Sequence, residues 1–472
     1  MKSILKLAVV LFLCVSCQAQ TGNNQELKKK FTNYLGELEN NQFSGSVLVA
    51  HKGKVITSGG YGFADKSANT KNKSTTVFDI GSITKQFTAA GILKLEEQGK
   101  LSVNDKITNY FKNVPISKEN ITLHHLLTHS SGLPPAIGHD YHIISKPDFI
   151  DKSLSSDLLF TVGTGYEYSN VGYTLLAMVI EEVSGQSYEN FLYDHLWNPS
   201  QMEQTGYIRP KFDQSNVAVG YRDSGKWGKP NEKWDDGISW HLKGNGGILS
   251  TVEDMYKWHQ ALLGNTILSQ ASKSKMYTKH IEEGQGAQSH YGYGWAIFPT
   301  PRNTELIAHN GGNGIFFADF WRYLDEDITI IMMTNHANRG YDMLTSQLAG
   351  IILKPNFEPN SELRQSQADA QSERQMEQIL DSFLDVIKKD DATGWETFIR
   401  HNFSKEMIDF MPMDEHLAMF KKMHNELKNQ TVNGVMLNEN DDIEIKFDEN
   451  TLVISMEKEP NAKVKIGGLM LD

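Results

Sequence analysis

Strand-forming segments stand at both ends of the first 355 residues, with helical patterns between them. Near the start, two β-like runs, Ser46–Ala50 and Val55–Ser58, flank a Lys-Gly turn. Helical spacing dominates from Ser82 to Met276, interrupted by loops rich in glycine and proline. Four β-like runs then follow: Tyr291–Phe298, Leu306–His309, Ile315–Tyr323 and Asp327–Thr334. The simplest fold that buries all these faces is α/β (α+β), a sheet flanked by helices with a helical lobe beside it.

A smaller second unit is predicted after this domain, which we place at residues 24–355. Residues 356–372 are polar, rich in Gln and Ser, and typical of a linker. Residues 373–472 are predicted as an accessory α+β domain, with helices at Met376–Lys389, Trp395–Arg400 and His416–Asn425, and strands at Thr431–Leu437, Ile443–Phe447 and Leu452–Met456. From Ser361 onward there are 13 basic and 23 acidic residues, which is most of the chain's net charge of −12. Such an excess is typical of a solvated surface.

Charge and cysteine content exclude several classes of protein. A net charge of −12 argues against the clustered basic residues of a nucleic-acid interface, so nucleic acid is not a predicted partner. Both cysteines, Cys14 and Cys17, lie in the first twenty residues. The rest of the chain therefore forms no disulfide and no cysteine-ligated zinc site.

Residues 1–20 are predicted to be an export signal. A basic start is followed by a short apolar run from Leu7 to Val15, which is too short to span a membrane as a mature helix. Two cleavage sites stay open: Val15-Ser16-Cys17 resembles a bacterial lipobox, and Cys17-Gln18-Ala19 suits an ordinary signal peptidase. We therefore expect a periplasmic or secreted protein, with a lipid anchor on Cys17 in the first case.

The segment Ser82-Ile83-Thr84-Lys85 combines a nucleophile and a base at helical spacing. Gly81 precedes Ser82, and apolar residues at helical spacing follow it, which places Ser82 in the first turn of a buried helix. Helix N-terminal N–H groups favour developing negative charge there. Lys85 lies three residues on, on the same face, where a desolvated amine can take the serine proton.

Two further motifs follow in order along the chain. Tyr168-Ser169-Asn170 offers a second base in Tyr168 and a hydrogen-bonding partner for Lys85 or substrate in Asn170. His309-Asn310-Gly311 places a polar group, His309, on a strand expected to oppose the helix. Each motif also occurs by chance elsewhere in the chain, so their order and context carry the prediction.

Together these segments resemble the family of class C serine β-lactamases, DD-peptidases, and related esterases and D-amino-acid peptidases. The resemblance extends over about residues 26–355 and is carried by the stretches Gly81–Tyr110, Ile121–Leu133, Gly165–Gly185, Gly246–Thr251 and Tyr291–Asn335. It implies the β-lactamase/transpeptidase-like fold, an antiparallel sheet flanked by helices with a helical lobe.

The resemblance also implies an acyl-serine mechanism. Ser82 would attack a carbonyl, and Lys85 and Tyr168 would share proton transfer. The oxyanion would lie between the backbone N–H groups of Ser82 and Gly312. His309 stands where many β-lactamases of the family have lysine, a departure shared with some DD-peptidases and esterase-like members. A permanent cation facing a substrate carboxylate is thus replaced by a group that is mostly neutral at pH 7.

We therefore expect an exported serine hydrolase that cleaves an ester or amide in a small molecule or peptide. The alternatives are a DD-peptidase or β-lactamase acting on cell-wall peptides or β-lactams, and a binding protein of the same fold that no longer turns over. The intact motif residues argue against the binding protein. Oligomeric state and the role of the accessory domain stay open.

Other candidate sites are weaker. His125 and His129, four residues apart on a predicted helix, could share a metal, but no Glu-x-x-His pattern accompanies them. The sequence contains no Gly-x-Ser-x-Gly nucleophile elbow of the α/β-hydrolases. We predict no metal and no cofactor.

Overall fold

The structure is a computed structural model in which the chain divides into two compact units, Met1–Pro359 and Asn360–Asp472. It describes residues 24–138, 140–222, 225–234, 237–337, 341–359, 375–376, 378–437, 443–458 and 464–471. The predicted signal peptide, 1–20, lies outside the described residues, as does the predicted linker from residue 360 onward. Each unit is described by itself.

An eight-stranded antiparallel sheet forms the centre of the first unit. Its order is β2-β1-β14-β13-β12-β11-β10-β9. The strands of this unit are β1 (Gly45–His51), β2 (Lys54–Tyr61), β3 (Phe63–Asp65), β4 (Thr70–Lys71), β5 (Phe78–Asp79), β6 (Gly220–Arg222), β7 (Gly225–Gly228), β8 (Leu249–Ser250), β9 (Ile281–Glu282), β10 (His290–Tyr291), β11 (Ala296–Pro299), β12 (Glu305–Gly312), β13 (Phe317–Tyr323) and β14 (Ile328–Thr334).

Helices flank this sheet and form a lobe beside it. They are α1 (24–40), α2 (Thr84–Glu97), α3 (Leu123–Leu127), α4 (Lys146–Ser155), α5 (Asn170–Ser184), α6 (Tyr188–Leu192), α7 (Val252–Leu263), α8 (Gln270–Met276) and α9 (Tyr341–Leu353). Single turns of 3₁₀ helix occupy Gly81–Ile83, Ile107–Asn109 and Pro230–Lys233, and a π turn occupies Tyr193–Trp197. Among the described residues, no helix combines the length and apolar character that crossing a bilayer requires.

The pairing of β1 with β14 joins the two ends of the first unit, as the sequence predicts. Their register runs from Gly45 opposite Thr334 to His51 opposite Ile328. Every residue of β14 is buried, and both α7 and α9 contact this strand. A strand that is covered in this way is expected to be mostly apolar, which explains its run of isoleucine and methionine between Thr329 and Thr334. The predicted fold class is confirmed.

Helix α2 lies at the centre of the unit and carries the serine motif at its start. Eleven of its fourteen residues are buried. Phe87 packs between Trp197 and Trp258, with ring centroids 5.8 and 4.9 Å away. Helix α2 also contacts α5, so the two helices that begin with motif residues pack on each other.

One predicted strand is two strands in the structure. The run Tyr291–Phe298 was expected to be continuous, but β10 ends at Tyr291 and β11 begins at Ala296. The N–H of Gly292 donates to the Trp295 carbonyl at 2.8 Å, and Gly294 has φ +73°. A side chain on Gly294 would meet the Lys85 carbonyl at 2.7 Å. The prediction was wrong because glycines among β-forming residues here make a turn against α2.

The second unit is an α+β arrangement with its own core. Its helices are α10 (378–387), α11 (Ala392–Asn402), α12 (Lys405–Phe410) and α13 (Met413–Leu427), and its antiparallel sheet is β15 (Gly434–Leu437), β16 (Ile443–Lys446), β17 (Thr451–Lys458) and β18 (Val464–Leu471). Aromatic residues such as Phe383, Trp395 and Phe420 form the core. The sequence analysis missed α12 and β18. In β18, Gly467 and Gly468 interrupt the alternation by which a strand is recognised.

We predict that Phe87→Ala lowers the free energy of unfolding of the first unit by about 3–5 kcal/mol, since it leaves a cavity between two tryptophans. Urea titration followed by tryptophan fluorescence measures this loss. Ile116, which is 83% exposed, provides the control, and Ile116→Ala should change the free energy by less than about 0.5 kcal/mol. Equal effects of the two substitutions would contradict the packing described for α2.

Candidate active site

Ser82 lies in the 3₁₀ turn that leads into α2. The turn begins at Gly81, which has φ +50°. A side chain on Gly81 would come within 2.5 Å of the Gly312 nitrogen, so only glycine allows the turn to approach the end of β12 so closely. The fold thus presents the serine at a helix N-terminus and against the edge of a strand.

Lys85 lies one helical turn further on and is fully buried. Its Nζ lies 3.0 Å from Ser82 Oγ and donates to Asn170 Oδ1 and to the Asn245 carbonyl, both at 2.8 Å. Burial lowers the pKa of Lys85 well below its usual value, and the charge of Asp140 opposes this only in part. A neutral amine 3.0 Å from the serine oxygen is suited to accept the serine proton.

Tyr168 lies beside the amine, with its ring centroid 4.6 Å from Lys85 Nζ. Its hydroxyl is buried and has no hydrogen-bond partner of good geometry among the described residues. Burial raises the pKa of Tyr168, although the neighbouring Ser82 offsets part of that rise. Tyr168 is therefore a protonated phenol at rest, suited to give a proton rather than to take the first one.

His309 lies on β12 and is nearly fully buried. Its Nδ1 is 2.6 Å from the Asn310 carbonyl, which can only accept, so Nδ1 carries the proton. Its Nε2 therefore accepts from the Tyr291 hydroxyl at 2.9 Å. Burial, and the charge that Lys85 carries when it is protonated, lower the pKa of His309 to about 3, so the imidazole is neutral at pH 7.

The end of β12 lies directly against the Ser82 turn. A side chain on Gly311 would meet the Ile80 carbonyl at 2.1 Å and the Ser82 nitrogen at 2.5 Å. Gly312, the last residue of β12, is exposed. The backbone nitrogens predicted to hold an oxyanion thus belong to two segments in contact, and glycine is needed where they meet.

Asn170 is held in place by the start of α5 and by the loop after α3. The Ser169 hydroxyl caps α5 by accepting from the Gly172 N–H at 3.2 Å. The Ser169 N–H donates to His129 Nδ1, and the Asn170 N–H donates to the Pro135 carbonyl, both at 2.9 Å. Backbone bonds therefore fix the amide that faces Lys85.

Asn245 is a site residue that the sequence analysis missed. It contributes a backbone carbonyl to Lys85, while its side chain donates to Thr174 Oγ1 and to the His241 carbonyl, both at 2.8 Å. The glycines around it, such as Gly246, signalled a turn. A carbonyl contact leaves no signature in residue type, so only the fold reveals it.

The two histidines considered as metal ligands have other partners. His125 Nδ1 accepts from the Thr122 N–H at 3.1 Å at the start of α3. His129 lies beyond the end of α3 with φ +57°, so the expectation that both share one helix was wrong. The His129 ring lies 4.3 Å from the Tyr168 ring, and supports that side chain. Within the described parts of the chain, no cluster of three or more His, Cys, Asp or Glu residues suits a metal.

Comparison with known proteins agrees with this geometry. The Beta-lactamase family profile matches residues 28–351. Penicillin-binding protein 4* of Bacillus subtilis is 31% identical over 314 residues, which cover 63% of this chain and 69% of that protein. The chain therefore belongs to the β-lactamase family, and it is a serine hydrolase.

Two solved structures also match. The penicillin-binding protein from Bacillus halodurans has 26% identity and a TM-score of 0.59, over 67% of this chain and 99% of that one. The octameric penicillin-binding protein homologue from Pyrococcus abyssi has 21% identity and a TM-score of 0.58, over 94% of this chain and 89% of that one. The second likeness is one of fold, and its coverage extends into the second unit.

We predict that Asn170→Asp moves the acidic limb of the kcat/KM profile toward higher pH. A carboxylate at this position would stabilise the ammonium form of Lys85 and raise its pKa, so the base would be lost at a higher pH as acid is added. Each pH unit of displacement lowers kcat/KM about tenfold on that limb. The profile is measured with a chromogenic ester. Asn104→Asp makes the same charge change at an exposed position and should leave the acidic limb of the profile in place. If the acidic limb of Asn170→Asp is also unmoved, the assignment of Lys85 as base is contradicted.

Proposed function

We propose that this protein hydrolyses esters or amides that bear no carboxylate, through an acyl-serine intermediate. The observation that carries this proposal is the neutral, buried state of His309, whose two ring nitrogens are both engaged. A substrate carboxylate would meet no permanent cation at this position.

The charges around the site support the same substrate class. Lys85 is buried, its pKa is lowered, and its neutral amine lies between Ser82 Oγ, Asn170 Oδ1 and the Asn245 carbonyl. The ionisable group that most affects Tyr168 is Glu283, which accepts from the Tyr166 hydroxyl at 3.2 Å and raises the pKa of Tyr168. A second carboxylate, from a substrate, would be repelled by such a site.

In the proposed reaction the same side chains move protons first while the acyl group is attached to Ser82 and then while it is released. Ser82 Oγ attacks the carbonyl carbon as its proton passes to the neutral Lys85 amine, and the oxyanion lies between the Ser82 and Gly312 nitrogens. As the bond to the leaving group breaks, that group receives a proton through Tyr168. Water then attacks the acyl carbon, releases the acid, and returns the proton to Ser82.

We predict that the wild-type protein hydrolyses p-nitrophenyl valerate faster than mono-p-nitrophenyl glutarate, which carries a carboxylate in place of the terminal methyl group. His309→Lys should shift the ratio of the two kcat/KM values toward the glutarate by roughly tenfold or more, the typical worth of a hydrogen bond to a charged group. Ser82→Ala should hydrolyse neither ester while keeping the wild-type circular dichroism spectrum. An unchanged ratio in His309→Lys would refute the role given to His309.

A second candidate function is reaction with penicillin-like substrates. It is favoured by the 31% identity to penicillin-binding protein 4* of Bacillus subtilis. In a DD-peptidase or β-lactamase the same serine, base and oxyanion site would open a β-lactam or cleave a cell-wall peptide.

Intact-protein mass spectrometry with benzylpenicillin distinguishes the two candidates. If the first is right, we expect no adduct on the wild-type protein and no loss of drug, because the drug carries a carboxylate. A penicilloyl adduct that Ser82→Ala abolishes would favour the second candidate, and slow release of the adduct would favour a peptidase over a β-lactamase.

A further inference from the structure

A buried carboxylate links the two backbone segments that meet at Ser82. Asp79, on β5, is 2% exposed. Its Oδ1 accepts from the Gly81 N–H at 2.8 Å, and its Oδ2 accepts from Asn313 Nδ2 at 3.0 Å. Gly81 directly precedes the nucleophile, and Asn313 directly follows Gly312. One side chain therefore ties the serine turn to the end of β12.

Asn313 is itself fixed, so the link is stiff. Its Oδ1 accepts from the backbone N–H groups of Ile315 and Phe316 at 3.0 and 2.8 Å. Since the oxygen is used in this way, the amide nitrogen must face Asp79 and the Tyr141 hydroxyl, the latter at 3.0 Å. The turn after β12 and the turn before α2 are then held at one separation.

We propose that Asp79 is a positioning residue, which sets the distance between the Ser82 and Gly312 nitrogens by binding Gly81 and Asn313 at once. An oxyanion is stabilised only when both donors point at the place where the charge develops. A shift of about 1 Å in one of them lowers the rate of such a reaction about 100-fold. This proposal rests on the proposed acyl-serine function.

The acceptor and the donor of the Asp79–Asn313 hydrogen bond can be exchanged by two substitutions, which provides a test. In Asp79→Asn an amide nitrogen must face another donor, either Gly81 N–H or Asn313 Nδ2. In Asn313→Asp two carboxylates face each other at the position of a 3.0 Å contact. In the double variant the amide at position 79 donates to the carboxylate at position 313, while its oxygen accepts from Gly81. Each group then has a partner again.

The experiment measures kcat and KM with p-nitrophenyl valerate from the steady-state release of p-nitrophenol. Burial and Asp140 raise the pKa of Asp79 to about 7, so the assay is run at about pH 8, where its carboxylate is ionised. Each single variant should lower kcat about 10- to 100-fold with KM near the wild-type value. The double variant should recover most of the loss.

Asp254 supplies a matched control for the loss of a buried carboxylate. It is also 2% exposed, and it accepts from the Gln204 N–H at 2.6 Å and from Thr205 Oγ1 at 3.0 Å. Asp254→Asn should lower the melting temperature while kcat stays at the wild-type value. If Asp79→Asn also lowers only the melting temperature, Asp79 is structural only and the positioning role is overturned. The same conclusion follows if kcat of the double variant is no higher than the product of the two single-variant losses in kcat predicts. If the wild-type protein hydrolyses no ester, the proposed function fails instead.

Discussion

The proposed chemistry of this protein depends on keeping the amine of Lys85 away from water. A buried ammonium is costly unless it is paired, because desolvation removes several kcal/mol of favourable hydration. The protein surrounds Nζ with three neutral oxygens, from the Ser82 turn, from the start of α5 and from Asn245. Neutral acceptors orient the amine without holding its proton as a carboxylate would, and this favours the base form that the serine needs. The helical lobe and the sheet must therefore meet at this point.

The approach of β12 to α2 is the second requirement. Gly81 and Gly311 leave no room for side chains where the turn and the strand touch, and their contact brings the Ser82 and Gly312 nitrogens to one place. The same strand carries His309, whose ring is held by the Tyr291 hydroxyl and by the Asn310 carbonyl. The strand β12 therefore carries both the proposed oxyanion donor Gly312 and the neutral side chain that we propose faces the substrate.

Membership of the β-lactamase family fixes the class of reaction but not the substrate, because one fold can serve many unrelated substrates. The features of this chain that bear on the substrate are local. A neutral imidazole occupies the place expected for a cation, and the acidic groups Asp140 and Glu283 influence the Lys85 amine and the Tyr168 hydroxyl. The second unit has a separate core and a net negative charge.

The sequence by itself determined most of the strands and helices in their order, and the pairing of Ser82 with Lys85. These follow from local rules, since residues three apart share a helix face and apolar alternation marks a strand. Tyr168, Asn170 and His309 were predicted as site residues from the order of the motifs and the resemblance to the family. The tertiary structure alone decided that the Asn245 carbonyl faces Lys85, and that glycines split the run after His290 into two strands. Desolvation and backbone contacts arise between segments far apart in the chain, and residue type at one position does not encode them.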